Sequence, residues 1–292
     1  MADRIIRGIT KKKFVRFFAV DSTETTKYTS QIHNLSGTTS VIMGRLLSAG
    51  LMIAFDMKSS TDLLTLKLQC EGPIGGALVT ANNKGEIKGY INNPQIKLLF
   101  SSEKIIDVKA AIGKGLITII KDLGLKNPYI GNVKLIYGTI ARDLTHYFVK
   151  SEQIPSSVGL GVLTNEKGEV RQSGGFIIQL MPDAPEEVIS KIETNLNKFP
   201  HLTDVMDMDY KIEEIMNDFI LKGLQPEIKK TIPAKFRCDC SKEKFKKGLK
   251  LLGKEELEKA ISEKEKLETV CHFCNKKYMY DENEILKILT EI

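Results

Sequence analysis

Four cysteines stand in two tight pairs late in the chain: Cys238 and Cys240 in RCDC, then Cys271 and Cys274 in CHFC. The pattern is C-x-C, thirty residues, then C-x-x-C. Zn²⁺ prefers four ligands in a tetrahedron, and thiolates suit it well. A C-x-x-C turn places two sulfurs on one ion, and a C-x-C pair does the same from an extended chain. Four sulfurs with none to spare therefore read as one zinc site per chain. His272, inside CHFC, reads as a bystander. The same residues carry a second chemistry. Thiolates are the form that oxidants attack, and a neighbouring thiolate captures a sulfenic acid as a disulfide. Bridges Cys238–Cys240 and Cys271–Cys274 are open to this chain. The site is thus a structural clip, a switch, or both.

A module of about sixty residues has a small core, and a structural zinc site contributes on the order of 10–16 kcal/mol to its folding. Its middle, KFKKGLKLLGKEELEKAISEKEKLE, reads as one or two charged helices interrupted at Gly248 and Gly253. The tail DENEILKILTEI reads as a short terminal helix. Five lysines in residues 242–250 suggest nucleic acid at first sight. Residues 233–292, however, hold 14 basic and 12 acidic side chains. Four thiolates and one Zn²⁺ cancel that balance, which is not the electrostatic footprint of a phosphate binder. No nucleic-acid partner is expected, although a zinc-ribbon nucleic-acid-binding protein is the alternative reading. A thiol–disulfide oxidoreductase using Cys271 and Cys274 is a further rival, but the βαβ pattern of a thioredoxin-like fold is missing.

The rest of the chain must position this module. The chain has 292 residues, 42% of them hydrophobic, with a net charge of +6, values that fit a globular protein. The start, MADRIIRGITKKKFVRFFAV, lacks the apolar region and cleavage site of a secretory signal. LLSAGLMIAF (46–55) is too short to span a bilayer and reads as a buried helix. The expectation is a cytoplasmic protein with no membrane partner, a setting where paired cysteines bind metal or do redox chemistry. Cys70, in LTLKLQC, reads as a small buried hydrophobe. EGPIGG (71–76) and GKGLIT (113–118) match no phosphate-loop pattern and read as turns. No catalytic constellation stands out, so no enzyme is expected.

Residues 1–182 read as a mixed α/β domain. FVRFFAV (14–20) and TLKLQ (65–69) are strand-like, and KGLITIIKDLG (114–124) is a strand and turn. GALVTANNKGEIKGYI (76–91) and VGLGVLTNEKGEVRQSGGFIIQL (158–180) read as hairpins turning at 82–85 and 165–168. From Thr38 the apolar spacing becomes helical. At residue 183 the texture changes to helix, with Asp183 and Glu186 as an N-terminal signal and Val188, Ile189, Ile192 and Leu196 on one face. A second helix runs through YKIEEIMNDFILKG (210–223), and LQPEIKKTIPAKF (224–236) reads as a linker because Pro226 and Pro233 break helices. The fold class is therefore α+β. A mixed antiparallel-sheet N-terminal domain with helices (1–182) is followed by a helical linker region (183–235) and a small C-terminal zinc-binding domain (236–292).

The cysteine spacing, with MGRLLSAGLMIAF (43–55), CEGPIGG (70–76), KGEIKGY (84–90), SEQIPSS (151–157) and GGFIIQLMP (174–182), resembles the redox-regulated 33 kDa heat-shock chaperone family of holdases, also called 33 kDa chaperonins. The resemblance covers nearly the whole chain. It implies a protein that is zinc-bound and inactive when reduced. Oxidation of the four cysteines then releases zinc, unfolds the zinc domain and linker, and yields a homodimer that holds unfolding client proteins without ATP. It also implies that Cys238, Cys240, Cys271 and Cys274 are ligands and sensors, with bridges Cys238–Cys240 and Cys271–Cys274. Ordinary core packing is the plainer reading of the methionines between 181 and 216, and the apolar faces of 188–196 and 212–220 are expected to be covered in the reduced state. Because methionine adapts to varied partners, Met206, Met208, Met216 and Phe219 are the candidate contributors to a client surface once that cover is lost.

Overall fold

FVRFFAV and GGFIIQL are apolar at nearly every position, as strands buried on both faces are. The computed structural model describes residues 2–97, 106–263 and 266–291 and shows why. Strands β1 (Arg4–Thr10) and β2 (Val15–Asp21) form a hairpin, followed by helices α1 (Thr23–Ile32) and α2 (Gly37–Phe55). Strands β3 (Leu63–Cys70), β4 (Ala77–Ala81) and β5 (Glu86–Ile91) make a meander. Helix α3 (Val108–Ile112) leads to a hairpin of β6 (Gly115–Asp122) and β7 (Tyr129–Lys134). Helix α4 (Ile140–Lys150) then precedes a long hairpin of β8 (Ser156–Thr164) and β9 (Val170–Leu180). Gly75 and Gly76 adopt positive φ in the turn after β3, whereas in GKGLIT only Gly113, at φ +67, and Lys114 precede the strand and residues 115–118 belong to β6.

Helix α2 is the centre of this arrangement. It is long and apolar enough by composition to cross a membrane, but 94% of its most apolar window is buried inside the protein, as in a core helix. One side meets β8 and β9, and the other meets β3, β4 and β5. Gly44 permits the first approach: a Cβ there would lie 2.7 Å from Thr26 Cγ2 and from Val162 Cγ2. Ser36 starts the helix by accepting a hydrogen bond from the Thr39 N–H.

Residues 183–236 join the same compact unit, which runs from Met1 to Arg237. Helices α5 (Glu186–Lys198), α6 (Leu202–Asp207) and α7 (Ile212–Glu214), with a π turn at Ile215–Ile220, lie over the second face of the five-stranded sheet. Ile6, Val15, Phe17, Ala19, Phe176 and Ile178 from that face cluster with Ile192, Met206, Ile212, Ile215, Met216 and Ile220. The alternate residues Ile5, Phe18, Val20 and Ile177 belong to the α2 core instead. The strand alternation thus feeds two cores, and the apolar runs have two covers to satisfy.

Two sequence readings change here. The Asp183–Glu186 signal does not cap α5. Pro185 is the cap residue and Asp183 has φ +65. Glu186 and Glu187 instead place negative charge at the positive end of the helix. The stretch read as a linker is also regular structure. β10 (Pro226–Pro233) pairs antiparallel with β1, and β11 (Lys235–Phe236) pairs parallel with β5. Both prolines sit at strand ends on a sheet edge, where a missing N–H costs no ladder bond. The sheets are ordered β10-β1-β2-β9-β8 and β11-β5-β4-β3-β6-β7.

Arg4 ties the start of β1 to α7 through a bidentate pair with Glu213, at 2.7 and 2.8 Å. Burial pushes the Glu213 carboxyl up, but Arg4 outweighs it and holds the group below its ordinary 4.5. A carboxylate lowered in the folded state stabilises fully above its unfolded pKa and loses that contribution as pH falls through the folded value. Glu213→Gln should therefore cost about 1–2 kcal/mol at neutral pH. Thermal melts from pH 6 to pH 3 are expected to show the gap between wild type and variant closing on acidification.

Candidate metal centre

The second compact unit runs from Cys238 to Ile292. It contains α8 (Lys242–Leu249), a 3₁₀ turn (Lys250–Leu252), α9 (Lys254–Ser262), the hairpin β12 (Leu267–Val270) and β13 (Lys277–Tyr280), and α10 (Glu282–Leu289). Gly253, at φ +89, separates the two charged helices, whereas Gly248 lies inside α8 and interrupts nothing. Asp281 and Glu284 form a reciprocal capping box at the start of α10. The core is Leu249, Leu257, Tyr278, Tyr280, Ile285 and Ile288.

Cys271 and Cys274 occupy the turn between β12 and β13. The N–H groups of Cys274 and Asn275 both donate to the Cys271 carbonyl, and Asn275 takes φ +56 to close the turn. Cys238 and Cys240 lie immediately ahead of α8, whose first residues are capped by Ser241. The four Sγ atoms lie within 4.8 Å of one another. Cys238 Sγ is 3.7 Å from Cys271 Sγ, and Cys240 Sγ is 3.4 Å from Cys274 Sγ. Sulfurs around a tetrahedral ion with bonds of about 2.3 Å stand roughly 3.8 Å apart. The four donors therefore fit a tetrahedral metal ion. None of the five cysteines is in a disulfide.

The environment of the thiols is uneven. Burial pushes the Cys238 thiol up, opposed by the backbone N–H of Cys240. Burial likewise raises Cys274, opposed by the N–H of Lys276. Burial acts upward on Cys240 too, but hydrogen bonds from the Tyr278 hydroxyl and the neighbouring thiols prevail and bring it to about 7. The Tyr278 hydroxyl is 3.2 Å from Cys240 Sγ. Sequence reasoning missed Tyr278; its only signal was the alternation of KYMY, which puts Tyr278 and Tyr280 on one side.

Cys70 stands apart from this cluster, half-buried at the end of β3, where burial raises its thiol against N–H donors from Gly72 and Gly76. The methionine and phenylalanine candidates do not form one exposed patch. Met206 and Met216 are 5% and 1% exposed, whereas Met208 is 70% exposed. Phe219 is partly buried between the rings of Phe199 and Tyr210.

The chain is thus an α+β body followed by a small module whose four cysteines have the donor set of a structural metal site. The sequence profile of the Hsp33 protein family matches residues 3–281. The 33 kDa chaperonin of Clostridioides difficile is 42% identical over 293 residues, covering 100% of both chains. That of Lachnoclostridium phytofermentans is 43% identical over 290 residues, covering 99% of each. The crystal structure of the 33 kDa chaperonin from Thermotoga maritima matches with a TM-score of 0.91 at 32% identity, covering 100% of this chain and 99% of its own. The chain belongs to the Hsp33 family of chaperones.

Proposed function

We propose that this protein is a redox-regulated, ATP-independent holdase of the cytoplasm and not an enzyme. Cys238, Cys240, Cys271 and Cys274 hold one Zn²⁺ in the reduced, inactive state. Zinc, when bound, keeps the sulfurs as thiolates and ties the two ends of the module together. The observation that carries the reading is the gathering of four sulfurs within 4.8 Å in a module with so small a core. Peroxide oxidises Cys238 with Cys240 and Cys271 with Cys274. For each bridge one S–S bond forms, one O–O bond breaks and two hydroxides leave. All four donors are lost, and the module unfolds.

Residues 183–235 act as the linker that responds. Their helices cover an apolar sheet face in the folded protein. Release of the linker bares Val15, Phe17, Phe176 and Ile178 together with Met206, Met216 and Phe219, beside the already exposed Met208. Unfolding client proteins bind this surface, and the active form is a homodimer. The test is light scattering from a heat-denatured client. Peroxide-treated protein is expected to suppress aggregation, and reduced, zinc-loaded protein is not. Equal suppression by both would remove the switch, and suppression by neither would remove the holdase.

A further inference from the structure

The Tyr278 hydroxyl reaches the Cys240 sulfur from a side chain that is otherwise held in place. Tyr278 sits on β13 opposite Thr269, with its side facing the module's core while Lys277 and Met279 face out. Its ring packs against Phe245 at 5.3 Å between centroids, and Lys276 Nζ stands 5.3 Å over it. The O–H therefore has one aim, at 3.2 Å from Cys240 Sγ. Tyrosine O–H donates to a thiolate through the lone-pair density that the sulfur also uses as a nucleophile.

We propose that Tyr278 is a positioning residue that holds Cys240 in its reduced, metal-binding state and so sets how readily the cluster is oxidised. The inference rests on the zinc-holding role proposed above. In the first oxidative step a thiolate lone pair attacks peroxide, an S–O bond forms, the O–O bond breaks and hydroxide leaves. In the second, a neighbouring thiolate attacks the sulfenic sulfur, the S–S bond forms and a second hydroxide leaves. A hydrogen bond into the Cys240 sulfur withdraws charge from it and opposes whichever of the two attacks Cys240 makes, on peroxide or on a neighbouring sulfenic acid. It also orients the sulfur as a ligand, the task that hydrogen bonds behind metal ligands perform.

The test uses the full-length reduced protein loaded with zinc, as wild type, Tyr278→Phe and Phe245→Leu. Tyr278→Phe removes one oxygen and keeps the ring. Phe245→Leu loosens the ring packing and keeps the hydroxyl. Chelator competition reads the zinc dissociation constant, and a chromogenic chelator reads zinc release under excess peroxide. Tyr278→Phe is expected to weaken zinc binding about 10-fold and to speed release by a similar factor, while Phe245→Leu changes either by less than about 3-fold. Equal values for wild type and Tyr278→Phe would overturn the proposal alone. Equal losses in both variants would assign the effect to packing and overturn it as well. Absence of zinc from reduced wild type would overturn the metal reading and the proposal with it.

Discussion

Cys240→Ser in the reduced protein is expected to abolish zinc binding and unfold the module that follows Arg237. A serine hydroxyl is a poor zinc ligand at neutral pH, so one substitution leaves three donors where structural sites use four. The loss is large because little else holds the module. Its apolar core is six side chains, contributed by both charged helices, the β12–β13 hairpin and α10. Chains this small depend on metals or disulfides to offset the entropy of ordering. A structural zinc site supplies on the order of 10–16 kcal/mol, well beyond the total stability of many domains. Hydrogen exchange on the full-length variant should show lost protection in α8, α9, β12, β13 and α10 and weakened protection in the linker helices α5–α7, with α2 and the strands packed on it still protected. Retained protection in the module would mean that its fold does not depend on the cluster. Cys70→Ser serves as the control, since that thiol lies outside the cluster, and is expected to leave zinc stoichiometry at one per chain.

The second large effect is expected from Ile215→Asp. Ile215 is 0% exposed, in the π turn that follows α7, among Phe17, Ile178 and Ile220 of the linker-side core. A carboxylate there has no partner in its apolar surroundings, and burying one costs several kcal/mol. The linker helices should detach, because that relieves the charge without unfolding the α2 core, which uses the opposite face of the same sheet. The reduced, zinc-loaded variant should then bind an apolar dye and suppress client aggregation with no oxidant. Ile130→Asp is the comparison. Ile130 is already 55% exposed on β7, and its substitution should change neither readout. If Ile215→Asp bares apolar surface yet fails to hold a client, the linker-covered face is not the client surface.

Much of this protein is written locally. The hairpins turning at Asn82 and Asn165 need only a four-residue turn between alternating strands, and both formed where alternation and turn chemistry placed them. The stop after residue 220 needs only Gly223, which takes φ +83. The cysteine spacing pointed to the four thiols that meet, because short loops hold each pair together and the fifth thiol, Cys70, stands alone in a distant strand segment. What the sequence by itself left undecided depends on distant partners. PEIKKTI has few apolar residues and a proline at its edge, so it reads as a linker until β1 supplies a ladder of hydrogen bonds. Met206 and Met216 read by spacing as core packing or as an adaptable surface, and the second face of the sheet is what they cover. Tyr278 is one aromatic in a short strand until the cluster forms beside it. Periodicity and turns are properties of a few consecutive residues. The occupant of a sheet edge, the cover of a sheet face and the donor behind a sulfur are set by residues far apart in the chain, and only tertiary structure brings those together.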